Sequence, residues 1–209
     1  TALNWYDAQD PRPDYYRKLP SYWDTSDPSV VEEITNAFRT DASVRQLDWD
    51  YMYQTNYNSV DTSGLLRSKY ILENRITDSR QLSFSSVANW SIMPNLKLNG
   101  GIEASMYKGR NYKEISDLLG ADFWLDVDQF IERDTYIGSG ESQNDVDNPN
   151  RMVKEGDVFG YDYTANVNNA GLWAVANYVQ NRFEYYFGAN ATYTEFWRTG
   201  DMKNGRFPN

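Results

Sequence analysis

Apolar and polar residues alternate along several segments of this chain, most regularly over residues 46–57. The apolar positions of this segment are Leu47, Trp49, Tyr51, Tyr53 and Tyr57. Most positions between them are polar, and an alternation of period two is typical of a β-strand with one apolar and one polar face. The pattern therefore predicts a strand over residues 46–57.

Five further segments alternate in the same way: residues 66–77, 82–92, 96–107, 172–181 and 183–197. Each is about as long as a tilted β-strand that crosses a lipid bilayer. Strands with an apolar, aromatic-rich outer face and a polar inner face are typical of barrel walls in lipid. The predicted fold is therefore all-β: an antiparallel transmembrane β-barrel segment of about six strands, with long extracellular loops that carry short helices.

The lengths of the predicted connections support this interpretation. Residues 93–95 and 181–182 are short enough to be tight turns, and residues 78–80 form a third short connection. The long segments outside the predicted strands are residues 1–45, 108–171 and 199–209. Outer-membrane barrels combine short periplasmic turns with long extracellular loops. Because each strand crosses the membrane once, six strands in the predicted order place all the long segments on the same side. We expect four strands within residues 46–107 and two within 172–198, and the whole chain to be part of a single larger barrel domain.

Local signals predict short helices in the long connections. Asp27 and the proline that follows it suit the N-cap and first position of a helix near residues 28–39. Residues 112–119 precede Gly120, and glycine is typical of the position just after a helix. Residues 122–132 repeat apolar side chains at helical spacing.

Composition excludes several function classes. The 209 residues contain no His and no Cys, so a Ser-His-Asp hydrolase, a His-ligated zinc site or a disulfide framework cannot be built from this chain alone. The formal net charge of −10 repels phosphate backbones, so nucleic acid is not an expected partner. No apolar run approaches the roughly 18 residues of a membrane helix. The mean hydropathy of −0.75 fits both a soluble domain and a barrel section with long polar loops.

Carboxylates are the remaining candidates for chemistry. A glycosidase needs two carboxylates that flank the scissile bond, but Asp126 and Asp128 are expected on different faces of the predicted helix. Asp145 and Asp147 offer oxygen ligands at a spacing that calcium could use. This segment lacks the glycine and the terminal glutamate of an EF-hand loop, so a solvated turn is the favoured interpretation. We therefore expect no catalytic residues, no metal site and no cofactor.

Tyr and Trp are abundant, with 17 and 7 residues, and both suit surfaces that are apolar on one side and wet on the other. The aromatic residues predicted to contact a ligand are Trp5, Tyr6, Tyr15, Tyr16 and Trp23. Those predicted to face lipid or its interface are Trp49, Tyr51, Tyr53, Trp90, Tyr185, Tyr193 and Trp197. The alternatives are that the first group packs its own loop and that the second group belongs to the core of a soluble sandwich.

Five segments resemble, in matching order, segments of large TonB-dependent outer-membrane receptors, and most closely the subgroup with an N-terminal carboxypeptidase-regulatory-like domain. They are residues 4–17 (NWYDAQDPRPDYYR), 70–75 (YILENR), 117–120 (DLLG), 124–130 (WLDVDQF) and 196–200 (FWRTG). The resemblance implies the mid-barrel strands and extracellular loops of a much longer transporter in the outer membrane of a Gram-negative bacterium. The Ton box, the plug domain and the C-terminal aromatic-ending strand of that family have no counterpart here, so we expect the chain to be a fragment of its parent.

The resemblance implies import of a nutrient or another ligand, without enzymatic activity. The implied partners are the rest of the barrel and its plug, the TonB complex acting through the missing N-terminal region, outer-membrane lipid, and a surface lipoprotein lid of the kind found in the related starch-utilisation transporters. Two alternatives stay open. One is a soluble all-β glycan-binding module, which shares the aromatic residues, the acidity and the strands. The less favoured one is a glycoside hydrolase, which needs a carboxylate pair that converges in a cleft.

Overall fold

The computed structural model describes residues 1–23, 27–134 and 142–206, and these residues are mostly antiparallel β. The strands are β1 (Ala2–Trp5), β2 (Tyr70–Met93), β3 (Leu96–Asp117), β4 (Trp124–Leu125), β5 (Met152–Val153), β6 (Val158–Gln180) and β7 (Phe183–Gly200). The α-helices are α1 (Pro28–Thr40), α2 (Trp49–Tyr57) and α3 (Gln129–Asp134). Five strands form one sheet in the order β1-β2-β3-β6-β7, and β4 pairs with β5.

The chain divides into two compact units. The first contains Thr1–Arg75, Lys113–Gly160 and the segment from Lys203 onward, and the second contains Ile76–Tyr112 and Tyr161–Met202. In the described residues, no helix is both long and apolar enough to cross a membrane.

The first unit has a hydrophobic core in two clusters. One consists of Ile71, Ile115, Leu118, Trp124, Val153 and Phe159. The other consists of Met52, Tyr70 and Leu119. Buried Asn56 connects the second cluster to the backbone around it: its Nδ2 donates to the Tyr70 and Leu118 carbonyls at 2.9 Å, and its Oδ1 accepts from the Lys69 amide at 2.8 Å. The Asn56 side chain therefore connects α2 by hydrogen bonds to the backbone at the start of β2 and just after the end of β3.

The predicted strand over residues 46–57 is wrong, because residues 49–57 form helix α2. The Asp48 carboxylate accepts a hydrogen bond from the Tyr51 amide at 2.9 Å, which satisfies a free N–H group of the first turn. Met52 and Asn56, four residues apart, are the buried side chains of this helix, as helical periodicity requires. The assignment of Trp49, Tyr51 and Tyr53 to a lipid-facing strand therefore loses its structural basis.

Two further strand boundaries also differ from the prediction. Residues 66–77 and 82–92 were predicted as separate strands, but β2 runs without a break through residues 78–80. This segment contains no Gly or Pro that would force a turn. Two predicted strands are lost in this way: residues 46–57 form a helix, and residues 66–77 and 82–92 belong to one strand. Because the number of strands between the long segments falls by an even number, those segments would still lie on the same side of the sheet.

The remaining predictions are confirmed in part. Helix α1 matches the helix predicted near residues 28–39, and the Asp27 side chain caps it by accepting from the Ser29 amide. The tight turns at 93–95 and 181–182 are confirmed. The strands predicted over 96–107 and 183–197 lie within β3 and β7, and the strand predicted over 172–181 lies within β6 up to Gln180.

The long connection predicted over residues 108–171 is shorter in the structure, because β3 continues to Asp117 and β6 begins at Val158. The helix predicted over 112–119 is therefore wrong. The helix predicted over 122–132 is only partly correct, since α3 begins at Gln129. Within the 1–45 segment, strand β1 was not predicted and residues 24–26 lie outside the described residues, as do residues 207–209 of the 199–209 segment.

Candidate functional site

Strands β6 and β7 are paired along their length. The pairing begins at the turn, where Gln180 is opposite Phe183, and ends where Tyr163 is opposite Gly200. Directly opposite residues of an antiparallel pair share a face of the sheet. One face carries five successive pairs in which both residues are apolar or aromatic. These pairs are Tyr178–Tyr185, Ala176–Phe187, Ala174–Ala189, Leu172–Ala191 and Ala170–Tyr193.

The opposite face of the same two strands is largely polar. Its pairs include Asn177–Tyr186, Trp173–Asn190, Gly171–Thr192 and Asn169–Thr194. Asn177 Nδ2 donates to Glu184 Oε1 at 2.7 Å, and Thr194 Oγ1 donates to Asn169 Oδ1 at 3.3 Å. The two faces therefore differ in chemistry along the same stretch of backbone.

Strand β3 continues both faces, as close approaches at two glycines show. A Cβ built on Gly100 would lie 3.9 Å from the Ala174 Cβ, and one built on Gly171 would lie 2.9 Å from Glu103 Oε1. Gly100 therefore belongs to the apolar face and Glu103 to the polar face. Because side chains alternate along a strand, the apolar face also receives Leu96, Leu98, Ile102, Ala104 and Met106. We call these five residues and the five apolar pairs of β6 and β7 the apolar band.

Nothing among the described residues covers the apolar band. Phe187, Tyr193 and Leu172 are 66%, 65% and 58% exposed. All the buried hydrophobic residues that the structure describes lie in the first unit. An uninterrupted apolar surface of this kind marks a site that contacts a partner or a membrane.

The apolar band has the length of a membrane crossing. Tyr185 and Tyr193 are eight residues apart on β7, which corresponds to about 27 Å along a strand at 3.4 Å per residue. A tilt of about 35–45° reduces this to about 19–22 Å along the membrane normal, close to the roughly 25 Å apolar height of outer-membrane barrels.

Aromatic side chains lie at both ends of the apolar band. Tyr178 and Tyr185 stack at one end, with ring centroids 6.4 Å apart and planes at 26°. Tyr193 is at the other end, and Trp197 lies on the same face two pairs further along. Three of the predicted interface residues, Tyr185, Tyr193 and Trp197, therefore share one face of β7. Trp90, on β2, is exposed.

A groove of about 400 Å³ adjoins the end of the apolar band beyond Tyr193. Its lining includes Arg80, Met106, Lys108, Asn166, Asn168 and Trp197. We call it the basic groove. Of these residues, only Trp197 was singled out by sequence reasoning. The other side chains belong to three different strands, and only the strand register brings them together.

The five predicted ligand-binding aromatics do not converge on one site. Tyr6 packs edge-on against Trp124 in the core of the first unit, with ring centroids 6.4 Å apart, and Trp5 packs against the second core cluster. Tyr15, Tyr16, Tyr22 and Trp23 instead form a row of edge-to-face ring contacts, with centroids 4.8 to 5.4 Å apart. These contacts fit packing of the segment onto itself.

The candidate acidic pair Asp126 and Asp128 serves two separate structural roles. Buried Asp126 accepts hydrogen bonds from Arg151 Nη2 at 2.7 Å and from the Gly160 amide at 2.9 Å. Asp128 accepts from the Phe130 amide in the first turn of α3. The two carboxylates therefore do not face a common substrate position.

Asp145 also has a structural role. It accepts from Asn148 Nδ2 at 2.7 Å, from the Asp147 amide at 3.2 Å and from the Lys203 amide at 3.3 Å. Burial raises the pKa of Asp145, but these hydrogen bonds outweigh it, and the pKa lies below its usual value. Among the described residues, no group of three or more carboxylates is placed to hold a metal ion. Asp145 thus connects the loop at 145–148 to the segment from Lys203.

No family model and no curated protein matches this chain. The functional argument therefore depends on the geometry of the second unit. The feature that distinguishes this unit is a sheet with one continuous apolar face, exposed and bordered by aromatic residues.

Proposed function

We propose that the second unit forms part of the wall of an outer-membrane β-barrel, in a TonB-dependent transporter that imports a nutrient or another ligand into a Gram-negative bacterium. The observation that carries this proposal is the exposed apolar band on three neighbouring strands. The segments that resemble TonB-dependent receptors support the choice of family. The chain performs no covalent chemistry in this role.

A position in a barrel wall, between lipid and a wet lumen, accounts for the chemistry of both faces of the sheet. Burial of an exposed Leu or Phe side chain is worth about 1.5–3 kcal/mol, so acyl chains would stabilise a surface that in water would drive aggregation. The polar face, with Glu103 and the Asn169–Thr194 pair, suits a wet barrel lumen. A soluble sandwich would instead bury the apolar face against a second sheet.

The connectivity supports the same proposal. Short turns follow β2 and β6, whereas long segments precede β2 and follow β3. This is the asymmetry between periplasmic turns and extracellular loops in outer-membrane barrels. The smallest such barrels have eight strands, so we propose that further strands of a longer polypeptide complete the wall. The plug, the contact with the TonB complex and any lipoprotein lid would then involve residues outside this chain.

These 209 residues contain no cysteine, so a cysteine placed among them is the one thiol of this segment and allows a direct test by cysteine scanning. In the full-length polypeptide that contains these residues, Ala189, Asn190, Ala191 and Thr192 would each be replaced by Cys and labelled with an environment-sensitive fluorophore. The protein would then be reconstituted into vesicles that contain lipids brominated on their acyl chains. We expect bromine to quench the fluorophore at 189 and 191 but not at 190 and 192.

The scan separates the proposed wall from the alternatives. Quenching with a period of two requires that one face of β7 contacts acyl chains. A soluble glycan-binding module would show no quenching at any of the four positions, and quenching at all four would contradict a polar lumen face. Either of these results would overturn the proposal.

A further inference from the structure

We propose that the basic groove binds the phosphorylated headgroup of an anionic membrane amphiphile whose acyl chains lie along the apolar band. This inference rests on the proposed function, because it requires the apolar band to face lipid. It adds a specific ligand class and a site at the membrane boundary.

The position of the basic groove supports a headgroup as its occupant. Asn168 and Asn166 lie two and four residues before Ala170, on the same face of β6, and Trp197 lies opposite Asn166. By the same alternation, Lys108 follows Met106 on β3. The chemistry of the face therefore changes from purely apolar to polar and basic within one or two residue pairs, as the boundary between acyl chains and headgroups requires.

The charge of the basic groove is opposite to that of the chain. The formal net charge of the chain is −10, yet the groove is lined by Arg80 and Lys108 and by no carboxylate. Among the described residues, neither cation has a hydrogen-bond or ion-pair partner, whereas Arg110 nearby in sequence pairs with Asp162 at 2.5 Å. Two unpaired cations in one groove are complementary to a phosphate group.

The other groups of the basic groove match the rest of such a ligand. An Arg guanidinium can donate two parallel hydrogen bonds to a phosphate, and a Lys ammonium adds a point charge. The side-chain amide of Asn168 can donate to ester or sugar oxygens, whereas Asn166 is buried and its Nδ2 donates to the Thr164 carbonyl at 3.4 Å. Met106 and Trp197 offer apolar surface to the start of the acyl chains, and a volume of about 400 Å³ is within the usual range of small-molecule sites.

One acidic residue defines the limit of the groove. Glu195 lies directly opposite Asn168 on the same face, but it does not line the groove. Its negative charge weakens the attraction of the site for a phosphate. Replacing Glu195 by Gln should therefore tighten binding, an effect that a purely apolar lipid contact would not produce.

The test measures lipid retention on the full-length polypeptide that contains these residues. The protein would be purified in dodecyl maltoside and titrated with dioleoyl phosphatidic acid, and the bound fraction would be read by native mass spectrometry. The test variant is R80Q/K108Q. The matched control, K97Q/R182Q, removes the same charge at the turn end of the strands. We expect R80Q/K108Q to bind about tenfold more weakly, the control to bind like the wild type, and E195Q to bind more tightly.

Several results would overturn the headgroup assignment. Equal retention of dioleoyl phosphatidylcholine and phosphatidic acid would show that charge does not select the ligand. Displacement of the lipid by inorganic phosphate alone, at matching concentrations, would show a site for a free anion. Insertion into vesicles, measured by bromine quenching of a labelled Cys introduced at position 189 in the wild type and in R80Q/K108Q, separates the two proposals. If the wild type inserts but R80Q/K108Q retains phosphatidic acid fully, only the headgroup assignment fails, whereas no insertion of the wild type removes both.

Discussion

Replacing Ala174 by Lys should strongly destabilise the protein in a membrane. Ala174 pairs with Ala189 in the middle of the five apolar pairs, four residues from either end of the band. If the band spans the bilayer, Ala174 lies near the midplane, where a lipid-facing Lys costs about 2–4 kcal/mol. This corresponds to a decrease of roughly 30- to 700-fold in the folding equilibrium constant.

Two matched variants isolate the cause of this effect. Val175→Lys adds the same charge one residue further along, on the polar face, and should cost less than about 1 kcal/mol if that face lines a wet lumen. Ala174→Leu adds volume without charge beside Gly100, which has no side chain to obstruct it. Folding of the full-length polypeptide into vesicles would be measured by urea titration with tryptophan fluorescence. Equal destabilisation by Lys at 174 and 175 would refute the facing assignment, and equal destabilisation by Leu and Lys at 174 would assign the effect to size.

Three further predictions concern the first unit, each measured by thermal unfolding. Asn56→Ala leaves several buried backbone groups without hydrogen-bond partners and should lower the free energy of unfolding by about 2–4 kcal/mol. A decrease of less than about 0.5 kcal/mol, which is typical of surface substitutions, would contradict the structural role of Asn56. Gly120→Ala should lower the thermal stability more than Gly64→Ala. Both glycines have a positive φ, but a Cβ at 120 would lie 2.7 Å from the Tyr57 hydroxyl, whereas a Cβ at 64 would meet open space. Equal losses of stability in the two variants would exclude that clash. The pKa of Asp145 is lowered in the folded state, so its stabilisation is present above its usual pKa of 3.8 and disappears as the pH falls through the lower, folded value. Asp145→Asn should therefore reduce the loss of stability on acidification below pH 3.8, and an unchanged pH profile would refute the assignment.

The strands of the second unit could be predicted from the sequence because their packing is nearly one-dimensional. Successive residues of β3, β6 and β7 lie on opposite faces of the sheet, so the two faces appear in the sequence as an alternation of apolar and polar residues. The turn at 94–95 adds a proline, and the Asn181 turn adds a residue with φ +57° that Asn tolerates. Register could not be predicted, since it depends on pairing between strands that are far apart in sequence. The basic groove was missed for this reason.

The first unit was harder to predict because its elements depend on contacts from distant segments. In α2, the alternating residues Trp49, Tyr51 and Tyr57 are all partly exposed, so their spacing does not report a buried face. The informative residues are Met52 and Asn56, and Asn56 is polar. A buried Asn that binds the backbone of β2 carries no hydrophobic signal, and a search for apolar periodicity therefore overlooks it.

Aromatic residues perform different physical tasks in the two units, and composition cannot separate these tasks. In the first unit, Tyr70 and Trp124 are buried and contribute to the core clusters. In the second unit, Tyr193 and Phe187 lie on a face that the described residues leave uncovered. A soluble domain with this many exposed rings on one face would require a partner of similar extent, whereas a bilayer supplies that cover without any specific contact. The mean hydropathy of −0.75 conceals this difference, because an alternating strand adds a polar residue for every apolar one.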